Sequence, residues 1–185
     1  MDIQHLTTGQ IQALLPEVQA SPQDKGEIEL IVSRPAPGQR QLLQAAILST
    51  DGGLEGDRWA SETTLRLPDG RPEGGDQVSL MNARLLRQLA GAKDRMALAG
   101  DNLVVDLDLS EANLPVGQRL RAGEALLEIT DVPHTGCAQF AERFGPDAVR
   151  YINSSQRKEL RLRGVFARVL EAGTIQIGDE VLKVD

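Results

Sequence analysis

The sequence predicts a mainly β fold with a few helices, either a barrel or a sandwich, on two observations. From Glu27 onward the apolar residues come in brief β-rich runs separated by glycines, and no regular alternation of strand with long helix interrupts that pattern. The glycines, 18 in 185 residues, fall mostly between those runs, where the chain must reverse. A hydrophobic share of 41% and a charged share of 25% are those of an ordinary globular protein, and the length suits one domain with a real core.

Element by element, Ile11, Leu14 and Leu15 have helical spacing behind a capping Thr8, and Pro16 is expected to end that helix. Residues 1–26 therefore read as a short helical lead-in and 27–185 as the main domain. Ile28 to Val32 predicts a strand closed by the Pro35-Ala-Pro-Gly38 turn, and Leu42 to Leu48 predicts a second. Asn82 to Ala90 is the clearest helix: Asn82 can cap it, Leu85, Leu86 and Leu89 share a face, and Gly91 stands where the chain must leave it. Val116 to Gly123 leading into Leu126 to Ile129 reads as a hairpin. So do Val165 to Leu170, Ile175 to Ile177 and Val181 to Val184. A helix follows Cys137, with Phe140 and Phe144 one turn apart and Gly145-Pro146 at its end. The glycine- and acid-rich stretch from Ser61 to Gln77 reads as a mobile loop long enough to be a lid.

Charge and composition narrow the function. A formal net charge of -7 disfavours duplex nucleic acid or an anionic membrane as partner, and 3% aromatic residues leave few platforms for stacking bases. Small molecules remain, with an anionic one requiring a local arginine cluster. The N-terminal stretch Met1 to Gln12 has neither a basic nor an apolar signal region, and no apolar run approaches bilayer-spanning length, so residence in the cytoplasm is expected. The lone cysteine agrees with a reducing compartment and excludes an internal disulfide.

That cysteine lies in the most informative window, Pro133-His134-Thr135-Gly136-Cys137, between an apolar strand and a helix. A cysteine at a helix N-terminus meets the positive end of the backbone dipole, which favours the nucleophilic thiolate. A lone cysteine equally suits a small buried hydrophobe, although the turn-forming neighbours speak against a core position. His134 could serve as acid, base or electrostatic partner of the thiolate, or simply bond to a backbone carbonyl. A second window, Gly53-Leu-Glu-Gly-Asp57-Arg58, combines glycines that permit a sharp turn with an acid–arginine pair suited to an anion, or to a plain surface ion pair. A third, Gly100-Asp-Asn102-Leu103, presents an amide that could meet a ligand or close its own turn. Finally, Arg161 and Arg163 alternate with Leu160 and Leu162, which places both arginines on one face of an extended segment, with Arg168 further on. Motifs for binding nucleoside triphosphates or dinucleotides are absent, as are a serine-nucleophile elbow, a zinc ligand set and a calcium loop.

Taken in order, Gly53-Leu-Glu-Gly-Asp-Arg58, Gln77-Val-Ser-Leu-Met-Asn82, Gly100-Asp-Asn-Leu103, Pro133-His-Thr-Gly-Cys137 and Arg163-Gly-Val-Phe-Ala-Arg168 resemble the MOSC domain, the module at the C-terminal end of molybdenum-cofactor sulfurases. The resemblance runs from about Glu27 to Val184 and identifies 27–185 with a small stand-alone member of bacterial type. It implies a MOSC-type β-barrel similar to the pyruvate kinase barrel, with Cys137 matching a cysteine proposed to carry sulfur or to ligate the molybdenum of a pterin cofactor. Many members read Pro-Arg-x-x-Cys, and here His134 replaces that arginine. The resemblance thus implies Cys137 as sulfur carrier or metal ligand and His134 as its neighbour in acid–base or hydrogen-bonding work. Asp57, Arg58, Asn102, Arg163 and Arg168 become contacts to the molybdenum cofactor. Three functions compete: an oxidoreductase acting on N-hydroxylated compounds with an external electron-donor protein, a sulfane-sulfur carrier supplied by a sulfur-donor protein, and a domain in which Cys137 is merely packed.

Overall fold

The structure, a computed structural model, describes residues 5–185. Residues 1–4, where the lead-in and the stretch read for a signal begin, lie outside the described residues. Two short helices come first, α1 (Thr8–Ala13) and α2 (Leu15–Gln19). Thr7 rather than Thr8 caps α1, through a reciprocal box with Gln10, and Pro16 opens α2 instead of ending α1 because the first turn of a helix needs no proline N–H.

Strands follow as β1 (Lys25–Ser33), β2 (Gln41–Leu43), β3 (Ala45–Ser49) and β4 (Gly53–Leu54). After α3 (Trp59–Glu62) come β5 (Val78–Asn82), α4 (Ala83–Ala90), α5 (Lys93–Met96), β6 (Leu103–Val105), β7 (Arg119–Ala122) and β8 (Ala125–Ile129). The chain finishes with α6 (Ala138–Phe144), α7 (Pro146–Ile152), β9 (Val165–Glu171), β10 (Gly173–Gln176) and β11 (Glu180–Val184). Among the described residues, seven strands close into a mixed β-barrel in the order β11-β7-β8-β9-β5-β6-β1, with β1 returning to β11 and β2 appended to β1. Only the β5–β6 pair of that ring is parallel. A small second sheet, β10-β3-β4, flanks it.

Side-chain alternation on β1, β5 and β6 explains both layers of the core. Ile31, Leu80, Leu103 and Val105 point into the barrel, whereas Leu30, Val32, Met81 and Val104 point outward against Leu85, Leu86, Phe140, Phe144 and Tyr151 of the helices. Strands buried on both faces read as continuous apolar runs, which is why Leu103 to Val105 shows no polar face, and the two polar residues of Val78 to Asn82, Ser79 and Asn82, are buried and hydrogen-bonded. The expected helix at Asn82 is α4, with the Asn82 Oδ1 accepting from the Leu85 N–H at 3.0 Å and Gly91 left-handed at φ 69°.

Four expectations change. Leu42 to Leu48 is two strands, because the chain bends at Gln44 and passes from the barrel to the small sheet. The segments from Val165 to Val184 do not form a hairpin with one another: β9 joins β5 and β8, β10 joins β3, and β11 joins β1 and β7. The stretch from Ser61 to Gln77 is tied down, with the Trp59 indole N–H and the Thr63 hydroxyl both donating to Asp76 at 2.7 and 2.9 Å, and an Arg66–Pro72 bridge within it. Arg161 and Arg163 lie in a turn rather than an extended segment, because Arg161 is left-handed at φ 47° and Gly164 has φ 101°. No helix of the described residues is long and apolar enough to cross a membrane.

Candidate functional site

The turn that bears Cys137 is fixed from both sides. Where β8 ends, the Thr130 hydroxyl donates to the Gly75 carbonyl at 2.6 Å and its N–H to the Phe166 carbonyl at 3.0 Å. Further along, the Asn153 side chain clamps Gly136: its Oδ1 accepts from the Gly136 N–H and its Nδ2 donates to the Gly136 carbonyl, each at 2.8 Å. Ile152 packs against this glycine, and a Cβ at position 136 would sit 3.0 Å from its Cδ1, so any larger residue there requires that methyl to shift. Cys137 follows as the N-cap of α6. It is exposed, and its side chain makes no capping bond.

His134 turns inward from the same loop. Its ring packs against Phe166 with centroids 4.2 Å apart, its side chain is 9% exposed, and Nε2 lies 3.6 Å from Asp101 Oδ1. That gap is too long for a hydrogen bond, and the buried Nδ1 has no partner among the described residues. Asp101 instead receives Arg163, whose Nη1 donates to both carboxylate oxygens at 2.8 and 2.7 Å, while Nη2 reaches the Ala99 carbonyl. The Arg163 guanidinium also lies over the Phe140 ring, 4.9 Å from its centroid. Burial raises the Asp101 carboxyl above its ordinary value, against the pull of Arg163, Arg34 and Arg40.

Burial, and after it the positive charges of Arg163 and Arg34, hold His134 well below its ordinary value of 6.5. The imidazole is therefore neutral at neutral pH, and the sign of its pH effect follows. Below about pH 6.5 the unfolded chain binds a proton that the folded chain refuses, so this contribution to stability is complete above that pH and is lost as the pH falls. Urea midpoints measured at about pH 7.5 and about pH 5.5 should fall more in the native chain than in His134→Gln, with a limiting slope of about 1.4 kcal/mol per pH unit for one proton. Equal falls would show that His134 carries no such linkage.

The glycine-rich window works differently from its sequence reading. The Asp57 carboxylate, fully buried, accepts from the Arg34 N–H, Nε and Nη2 at 2.8 Å each, from the Trp59 N–H at 2.9 Å and from Asn102 Nδ2 at 3.1 Å. Burial alone would raise this carboxyl, but the hydrogen bonds and charge of Arg34 prevail and lower it. Asn102 is itself spent: its Oδ1 accepts from the Ser79 N–H, the Ser79 hydroxyl and Arg34, and its Nδ2 also reaches the Val32 carbonyl. Asp57 and Asn102 together aim Arg34.

Around Arg34 gather guanidinium groups that the sequence reading did not connect. Arg40 is lowered from its ordinary value by burial and then by Arg143, Arg34 and Arg58, with Asp57 opposing. Its Nε is buried without a partner among the described residues. Arg143 donates to the Leu98 carbonyl, and Arg58 pairs with the half-exposed Glu62 at 3.2 Å. Among the described residues neither Arg40 nor Arg143 has a carboxylate partner. Asp101 also lies within reach of Arg34 and Arg40 but is paired with Arg163, so the four guanidiniums are set against Asp57 and Glu62, a surplus of two positive charges among the described residues. Arg58 belongs to this cluster, whereas Arg168 sits on β9, paired with Glu73 at 3.1 Å and Glu128 at 3.9 Å. Arg143 lies more than a hundred residues from Arg34 and Arg40, and the only local signal is an arginine on either side of the Pro35 to Gly38 turn.

Beside Arg163, which lines it, a groove of about 660 Å³ runs from Pro133, His134 and Thr135 toward Asn153 and Arg161. A smaller hollow of about 270 Å³ beside Val18 and Leu160 contains none of the expected site residues. The barrel, the exposed cysteine after β8 and the arginine turn can be compared with known proteins. A sequence model of the MOSC domain matches residues 75–182, more than half of the chain. The chain belongs to the MOSC domain family. The YuaD protein of Bacillus subtilis has a similar fold at a TM-score of 0.59 and 17% identity, over 85% of this chain and 94% of that one. YiiM from Geobacillus stearothermophilus follows at 0.56 and 17%, covering 86% and 75%, and YiiM from Escherichia coli at 0.52 and 18%, covering 86% and 70%. Similarity at that identity speaks for the MOSC fold alone. No curated protein matches the sequence.

Proposed function

We propose that this MOSC domain binds the molybdenum cofactor, with Cys137 as sulfur ligand to the metal and the cluster of Arg34, Arg40, Arg58 and Arg143 as the seat of the cofactor's phosphate. The observation that carries the reading is the arginine cluster: a surplus of two positive charges, with a buried unpartnered Nε on Arg40, in a chain of net charge -7. Guanidiniums are the donors that suit phosphate oxygens, and an exposed thiol is a soft donor for a transition metal. The residues present therefore fit the group.

Asp57 and Asn102 hold Arg34 in place for the anion, and the Asn153 clamp holds the cysteine turn. His134 stays neutral beside that turn, so it offers a hydrogen-bonding ring where many relatives are expected to offer a cation. When bound, the cofactor supplies a metal centre capable of two-electron redox chemistry. The activity assigned is the reduction of N-hydroxylated compounds, with electrons from a separate donor protein. We take 27–185 as the MOSC unit and the cytoplasm as its compartment.

The exposure of Cys137, with its side chain free, favours one other reading. In it a sulfane-sulfur donor transfers its outer sulfur to the Cys137 thiolate, forming a persulfide and releasing the donor's thiolate. Metal analysis and intact mass of chain produced with molybdate separate the two. Stoichiometric molybdenum, lost in Cys137→Ala, supports the cofactor reading. A metal-free chain whose mass is higher by one sulfur atom, with the gain abolished in Cys137→Ala, overturns it in favour of the carrier.

A further inference from the structure

We propose that the groove beside the cysteine turn is a second ligand site, distinct from the arginine cluster, and that it takes small uncharged or cationic molecules and rejects anions. Its volume, about 660 Å³, is that of a small-molecule site. Its lining is mixed: Ile152, Leu162 and Val165 supply apolar surface, while Thr135, Asn153 and Ser154 supply hydroxyl and amide groups. The buried, unpartnered Nδ1 of His134 belongs to the same wall.

Charge decides the class of ligand. Arg163 lines the groove but is neutralised by Asp101. The remaining charges are Lys158 and Arg161 against Glu111, Asp131 and Glu159, one net negative. Glu111 and Glu159 share one rim, since the Glu111 N–H donates to the Glu159 carbonyl at 2.8 Å. The arginine cluster carries the opposite excess, and the two regions are linked through the 99–102 turn, where Asn102 accepts from Arg34 of the cluster and Asp101 from Arg163 of the groove wall. An anion is thus drawn to one side of that turn and refused on the other. A groove ligand also meets Asn153, the residue that clamps Gly136 next to Cys137, so occupancy reaches the cysteine turn. This charge division is a property of the protein alone and stands apart from the cofactor reading.

The test uses three probes of one size: benzamide, benzamidine and benzoate, titrated into isotope-labelled, metal-free full chain while backbone amide resonances are followed. Benzamide and benzamidine are expected to shift Thr135, Gly136 and Ser154 saturably, and benzoate to bind there at least about tenfold more weakly. In the double variant E111K/E159K, which alters only exposed side chains, benzoate should bind the groove at least as well as benzamide. The proposal is overturned if benzoate moves these amides in the native chain as strongly as benzamide does, or if none of the three probes moves them. Neither result would touch the metal analysis on which the cofactor reading depends.

Discussion

Replacing Asp101 with asparagine is expected to cost about 3–5 kcal/mol of stability, read as a fall in the urea midpoint at unchanged slope. The substitution keeps the shape of the side chain, so no cavity arises and the cost is electrostatic. Asp101 is wholly buried and Arg163 only 10% exposed, with two hydrogen bonds joining them. Without the carboxylate, the guanidinium stays in the interior under the Phe140 ring with no counter-ion. The pair as a whole need not stabilise the fold, since two buried charges surrender much hydration. Accordingly Asp101→Leu combined with Arg163→Met should cost far less than either change alone. A loss below about 1 kcal/mol for Asp101→Asn would mean that water reaches the pair and that it behaves as a surface bridge.

That pair marks the boundary between what the sequence disclosed and what it withheld. Local periodicity and capping are written within a few residues, so α4 was legible from Asn82, Leu85, Leu86 and Gly91, and the strand before Cys137 from its apolar run. Strand pairing is not local: nothing near Ile175 announces that β10 leaves the barrel to join β3, more than a hundred residues away. Nor does the alternation of Leu160, Arg161, Leu162 and Arg163 reveal that Arg161 is left-handed and that Gly164 turns the chain, since an extended segment has the same spacing. The site divides in the same way. The Cys137 turn was visible because proline, glycine and a helix start are adjacent in sequence. The resemblance implies Asp57 as a cofactor contact, but its carboxylate accepts from Arg34, 23 residues earlier. Whether an arginine is neutralised depends on which carboxylate the fold brings to it, and that made Arg40 and Arg143 invisible while Arg163 and Arg168 looked available.

Arg40 provides the strongest functional prediction because stability and binding should move in opposite directions. Among the described residues its half-buried guanidinium has no carboxylate partner and lies against the Gly100 turn, and burial, then the charges of Arg143, Arg34 and Arg58, lower its affinity for its own proton. Removing one of several like charges relieves repulsion, so Arg40→Ala should leave the free protein as stable as before or up to about 1 kcal/mol more stable, solvent screening limiting the gain. Binding of inorganic phosphate should meanwhile weaken about 10- to 100-fold, the value of one charge-assisted hydrogen bond to an anion. Thermal midpoints with and without phosphate report both effects. The native chain should gain stability with phosphate by mass action, and the variant should gain little at the same concentration. If Arg40→Ala instead destabilises the free chain by more than about 1 kcal/mol and binds phosphate unchanged, the cluster holds the fold together and the cofactor must be seated elsewhere.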